Sequence, residues 1–194
     1  MIYPIVLYGD PVLKKPGQEI TPDSIDVKQL SEDMFETMYQ ASGVGLAAPQ
    51  IGKSLRLFVI DSAPMEEDEQ GVKKVFINPE IIEETGKEWS FEEGCLSVPG
   101  IRADVSRNEK VTLRYFDENW EEHEETFEGL PARIILHEYD HIEGVLFTDH
   151  IKGLKKQSFI WISISLSNLL FLNWLKISIS ANTIFIVYSE DGRV

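Results

Sequence analysis

Cysteine is almost missing from this chain: Cys95 stands alone among 194 residues. An intrachain disulfide is therefore excluded, and a reducing compartment is the natural setting. Positive charge is also short, with 18 Lys and Arg against 33 Asp and Glu, a net charge of -15. That balance argues against general nucleic-acid binding. The opening run Met1-Ile2-Tyr3-Pro4-Ile5-Val6 has neither a basic stretch nor a long apolar core, so no secretory signal is expected and the cytoplasm is the expected compartment. Internal repeats and Gly/Ser linkers are lacking too. What is present, 43% hydrophobic and 10% aromatic residues, is enough for one domain with a real core.

The average charge hides an asymmetry. Residues 1 to 150 carry 13 Lys and Arg against 31 Asp and Glu, whereas residues 151 to 194 carry 5 against 2. Between Lys156 and Lys176 there are 19 residues without charge, long enough by length alone to raise a membrane helix. Yet Ile160, Ile162, Ile164 and Leu166 alternate with Trp161, Ser163 and Ser165, a pattern that suits a strand better.

Before that tail, the chain reads as mixed α and β. Residues 1 to 9 suggest a short strand ending at Gly9-Asp10-Pro11. Over residues 25 to 41, Val27, Leu30, Met34 and Met38 recur at three and four residues, opposite Asp26, Glu32, Asp33 and Glu36. That is one amphipathic helix. Residues 55 to 61 form a strand, and residues 62 to 74 a polar loop. A second strand over 75 to 78 should close at Pro79, which cannot donate to a ladder. Shorter extended pieces follow at 81 to 82 and 87 to 91, and residues 109 to 116 and 120 to 127 form a hairpin around Asp117-Glu118-Asn119. The second hairpin strand reads as an exposed acidic edge, with His123 a surface histidine.

Histidine is scarce, four in all, and two of the four sit in His137-Glu138-Tyr139-Asp140-His141. Gly129-Leu130-Pro131 starts a helix upstream and Gly144 ends it downstream. On a helix over residues 131 to 143 the two histidines stand one turn apart, close enough to grip one metal ion. Glu138 then lies off that axis, able to hold a proton beside a metal-activated water. The bland alternative is a pair of polar-face neighbours. Two other motifs are compact. Gly43-Val44-Gly45-Leu46-Ala47-Ala48-Pro49-Gln50 is a glycine turn, or a place where another backbone comes close, ending in an amide that can donate and accept. Glu93-Gly94-Cys95-Leu96-Ser97 brackets the lone thiol, which is an inert buried residue, a metal ligand or a nucleophile. With both helix histidines claimed, ligand is the preferred role. His150, just past the helix, is a structural residue or a support of the site.

Together the three motifs resemble peptide deformylase, whose family patterns GxGLAAxQ, EGCLS and HExDH are matched at every fixed position over roughly residues 1 to 156. The resemblance implies an α+β fold with antiparallel strands wrapped around the metal helix. It implies removal of the N-formyl group from the initiator methionine of new polypeptides. Cys95, His137 and His141 would ligate one divalent ion, Fe(II) in the family, with Zn, Ni or Co able to occupy the site. Glu138 would carry the proton, and Gln50 with the Leu96 backbone N–H would stabilise the oxyanion. Val44, Leu130 and Ile134 would line the methionine pocket, the segments around Val44-Gly45 and Val98-Gly100 would hold the peptide backbone, and Arg102 would support it. Glu93 and Asp140 would orient the cysteine loop and the histidine helix.

The tail departs from that pattern. Bacterial members usually continue into a further helix, basic in its last turns, that can dock on the ribosome. Residues 149 to 156 fit the start of such a helix, and then the charge disappears. The expected division is a catalytic domain over 1–156 and an atypical apolar segment over 157–194, either a divergent cap, a membrane contact or a stretch read in a shifted frame. The rival functions are an HExxH peptidase of the zincin type, which takes its third ligand from a downstream residue, and an inactive peptide-binding relative.

Overall fold

The computed structural model of the protein describes residues 1–65 and 71–151. The chain divides into two units, Met1–Lys156 and Gln157–Val194, and the described residues lie in the first. The readings of residues 157–194 therefore fall outside the described residues. Among those described, no helix is long and apolar enough to cross a membrane.

Helix α1, Val27–Gln40, starts where the Asp26 carboxylate accepts the Gln29 N–H at 3.0 Å, an N-cap. Its expected stripe, Val27, Leu30, Met34 and Met38, is buried. Strands β1 (Gly45–Ala47), β2 (Leu57–Asp61), β3 (Lys73–Cys95), β4 (Val98–Phe116) and β5 (Glu122–Glu128) form one five-stranded sheet in sequence order. Each neighbouring pair is antiparallel. Helix α2, Leu130–Ile142, follows Gly129, which sits at φ 69°.

Around β2 the sheet is covered on both sides. Leu57 and Val59 pack with Leu30, Met34 and Met38 of α1, while Phe58 and Ile60 pack with Ala132, Ile135 and Leu136 of α2. Successive strand residues point to opposite faces. A strand buried on both faces is apolar throughout, which is why 57 to 60 reads Leu-Phe-Val-Ile. Phe76 anchors the α2 side, stacked 4.7 Å from Phe58 and tilted against Tyr115 at 4.5 Å between ring centroids.

Two expectations need correction. Residues 1–7 form no ladder strand; the segment is tied down by single bonds, Tyr3 N–H to Thr37 Oγ1 at 3.0 Å and Val6 N–H to the Gln50 carbonyl at 2.8 Å. Nor does Pro79 end a strand. β3 runs on to Cys95, with a register shift between Ile77 and Glu80 and Asn78 at φ 48°. A bulge asks no ladder hydrogen bond of the proline, so the strand passes through it. Three further shifts, Ile81/Glu83, Thr85/Glu88 and Gly94/Cys95, break the alternation, and the separate pieces expected at 81 to 82 and 87 to 91 are parts of this one strand. The expected hairpin holds, Phe116 pairing with Glu122 across it.

Candidate metal centre and active site

The β3–β4 hairpin and α2 meet at the three expected donors. Cys95 is the last residue of β3, pairs with Val98 across a two-residue turn, and its Sγ lies 3.2 Å from His141 Nε2. One ligand atom each from Cys95, His137 and His141 falls within 4.8 Å of the others. Their rings, on successive turns of α2, are 5.1 Å apart between centroids. His137 Nδ1 is 2.9 Å from Glu93 Oε2, which turns Nε2 toward the cysteine. One sulfur and two imidazoles at this separation fit a borderline divalent ion such as Zn or Fe(II).

Gln50 closes the opposite side. It lies in the short turn Ala48–Ile51, its Oε1 accepts the Ala47 N–H at 2.8 Å, and its Nε2 is 3.6 Å from Cys95 Sγ and 3.3 Å from Ser97 Oγ. The accepting end is thus occupied by backbone, and the donating end faces the thiol.

The polypeptide deformylase family model matches residues 2–157. The peptide deformylase of Cytophaga hutchinsonii is 60% identical over 158 residues, 81% of this chain and 86% of its own. That of Christiangramia forsetii is 55% identical over 167 residues, 81% of this chain and 85% of its own. This chain belongs to the polypeptide deformylase family. Among solved structures, the Legionella pneumophila peptide deformylase superposes with a TM-score of 0.78 at 42% identity, covering 88% of this chain and 98% of that one. The Synechococcus elongatus enzyme, solved in complex with actinonin, gives 0.74 at 40% identity over 79% of this chain and 83% of that one. The α+β fold expected from the motifs is thus the fold of the family. As a deformylase the chain is a metal-dependent hydrolase, and the reaction is removal of the N-formyl group from new polypeptides.

In this deformylase the site is electrostatically poised. Burial alone would raise the Cys95 thiol, but the His141 and His137 imidazoles beside it outweigh that and bring it down to about 5. Burial pushes the Glu138 carboxyl up to about 7, against the pull of His137 and His141. Glu138 is 4% exposed, and its Oε2 has no hydrogen-bond partner among the described residues. Burial would also raise Glu93, yet hydrogen bonds from His137 and Arg107 hold it far below the usual carboxylate range.

The other expected residues are spread around this centre. Ile134 is buried in the cluster under α2, with Val44 packed against that cluster. Leu130 is half-buried at the start of α2. Leu96 lies in the turn directly after Cys95 and packs toward the α1 side. Gly45 sits against Glu138: a Cβ built on it would fall 2.4 Å from Glu138 Oε1. Arg102 pairs across the hairpin with Gly94, its guanidinium 3.6 Å from Glu92 and its side chain 72% exposed. His123 is partly buried, 3.1 Å from Asp117 Oδ2 and stacked on Tyr115. His150 Nε2 lies 2.8 Å from Asp140 Oδ2, beside α2.

Sequence reasoning missed Arg107 and Arg133, both buried against Glu93. The only signal was a charged residue, Arg133, set inside the apolar run from Ala132 to Leu136.

Proposed function

We propose that residues 1–156 form the catalytic domain and that it removes the formyl group from polypeptides beginning with N-formyl-methionine, releasing formate. The observation that supports this reading best is the convergence of Cys95, His137 and His141 beside a buried carboxyl whose Oε2 is unpartnered among the described residues. Those three residues would hold one divalent ion, Fe(II) as the resident metal, with Zn, Ni or Co as substitutes. When bound, the metal supplies Lewis acidity, which makes water nucleophilic at neutral pH and polarises the formyl carbonyl.

The chain's own groups do the rest. Glu138 Oε2 takes a proton from the attacking water and returns it to the departing amine, a task suited to a carboxyl with affinity for protons near neutral pH. Gln50 Nε2, anchored through its Oε1, donates to the oxygen that gains negative charge, together with the Leu96 backbone N–H. Val44, Leu130 and Ile134 give the methionine side chain an apolar wall. The backbone around Val44-Gly45 and Val98 to Gly100 holds extended peptide in the manner of an added strand, and Arg102 supports it from the hairpin. Substrates are newly made formylated chains, and the compartment is the cytoplasm. Docking on the ribosome is the less supported part of this reading, because the charge of the tail sequence disappears between Lys156 and Lys176.

The deciding experiment is formate release from formyl-Met-Ala-Ser by anaerobically purified protein, with metal quantified on the same sample. Release that depends on metal and disappears in Cys95→Ala and Glu138→Ala supports the assignment. A Glu138→Ala protein that binds metal and turns over normally refutes the role given to Glu138.

A further inference from the structure

The direct bond between Glu93 of the cysteine motif and His137 of the histidine motif is backed by two arginines that belong to neither motif. Glu93, two residues before Cys95, is gripped from two other elements. Arg107 of β4 donates from Nε to Oε1 at 2.7 Å and from Nη2 to Oε2 at 3.0 Å. Arg133 of α2 donates from Nη1 to Oε1 at 3.0 Å. Each arginine then reaches further. Arg107 Nη1 donates to Asp140 Oδ2 at 2.8 Å and toward the Leu136 carbonyl at 3.4 Å. Arg133 donates to the carbonyls of Val105 at 2.9 Å and Trp89 at 2.7 Å, its guanidinium 4.5 Å from the Trp89 ring centroid.

This frame is interior, the side chains of Arg107, Arg133 and Glu93 being only 6%, 3% and 4% exposed. Two guanidinium groups face two carboxylates, so the charges balance, and removing one member leaves another uncompensated. The geometry is also specific. Arg107 spans from Glu93, beside Cys95, to Asp140, next to His141, and a planar fork does this where a single ammonium serves one carboxylate at a time.

We propose that Arg107 and Arg133 are positioning residues of the metal centre: by clamping Glu93 from β4 and α2 they orient His137 and set the gap between the cysteine strand and the histidine helix. The inference rests on the assignment of Cys95, His137 and His141 as the ligands.

The test is a Co(II) titration of the full chain after chelator stripping, following the thiolate-to-cobalt absorption in competition with a chelator of known affinity. Far-UV circular dichroism and thermal unfolding are recorded on the same samples. Arg107→Lys and Arg133→Met are expected to bind cobalt about ten- to a hundredfold more weakly while still folded, the usual cost of losing a group that orients a ligand. Arg114→Met, which removes an exposed pair with Glu124, is expected to leave the affinity unchanged. A purely structural role for the arginines would lower the unfolding temperature yet keep cobalt affinity within about twofold of wild type, and that result overturns the proposal. Should Arg133→Met not fold, Arg107→Lys decides alone, because lysine keeps the charge and the stem. Wild-type protein that bound no cobalt through a thiolate would instead defeat the ligand assignment, and the clamp with it.

Discussion

Replacing Gly45 with alanine introduces a methyl group where the Glu138 carboxylate lies. The added Cβ would sit 2.4 Å from Oε1 and 2.8 Å from both Cδ and Cγ. Ordinary contact begins near 3.4 Å, so the carboxylate must retreat by about 1 Å, a displacement able to cost on the order of a hundredfold in rate. Glu138 is buried and has no solvent to swing into, and Gly45 is not among the glycines at positive φ, so the backbone accepts alanine and the clash falls on the side chain. The expected result for Gly45→Ala is a fall in kcat of about a hundredfold, equivalent to about 2.7 kcal/mol of activation free energy. Overpacking would also lower stability by about 1–3 kcal/mol. Formate release and metal content measured on one preparation check it, because Gly45 supplies no side-chain ligand and metal should remain bound. A folded, metal-loaded Gly45→Ala protein with wild-type kcat would refute the reasoning, since it would mean that the position of Glu138 does not limit the reaction.

Further outcomes are expected from other residues. Gln50→Glu keeps the shape but replaces the donating amide with a carboxylate, and should lower kcat by about 10²–10³-fold with the fold intact, as read by steady-state kinetics. In chelator-stripped protein, Glu138 holds its proton to about 7, above its usual 4.5. Its folded-state affinity for the proton is the higher one, so its contribution is full below about 4.5 and is lost as pH rises to about 7, roughly 3 kcal/mol in all. Glu138→Gln should therefore unfold at higher temperature than stripped wild type above pH 7, with the difference shrinking toward pH 5. Asn78 accepts the Ile20 N–H at 2.9 Å and donates to the Ile20 carbonyl at 2.8 Å from a backbone at φ 48°. Asn78→Ala loses both bonds and meets left-handed strain, and should cost about 2–4 kcal/mol in urea unfolding.

The parts of this site that were legible in the sequence are those built from local spacing. His137 and His141 are four residues apart, so a helix alone brings them together, and α2 carries the boundary residues Gly129 and Gly144 that mark such a helix. Cys95 joins them only through the long β3–β4 hairpin, which no short-range pattern announces. The chemistry of a lone thiol beside two claimed histidines favours that partnership, and the motif resemblance implies it, where periodicity is silent. Within the same hairpin, β3 reads as fragments because bulges at Asn78 and beyond reset its alternation, and a strand whose register shifts four times has no single period to find.

Arg107 and Arg133 mark the sharper limit. A charged residue in a strand and another near a helix start are ordinary surface features by composition, and their burial follows only once β4, α2 and the end of β3 are stacked on one another. Burial of a guanidinium becomes tolerable when a carboxylate waits at bonding distance, and Glu93 is that carboxylate only because it stands in register beside Cys95, opposite Ala103 on β4. The chemistry of the ligands is therefore written in short motifs, while the rigidity that would make those ligands a site is distributed among residues whose partners lie 14, 33 and 40 positions away along the chain.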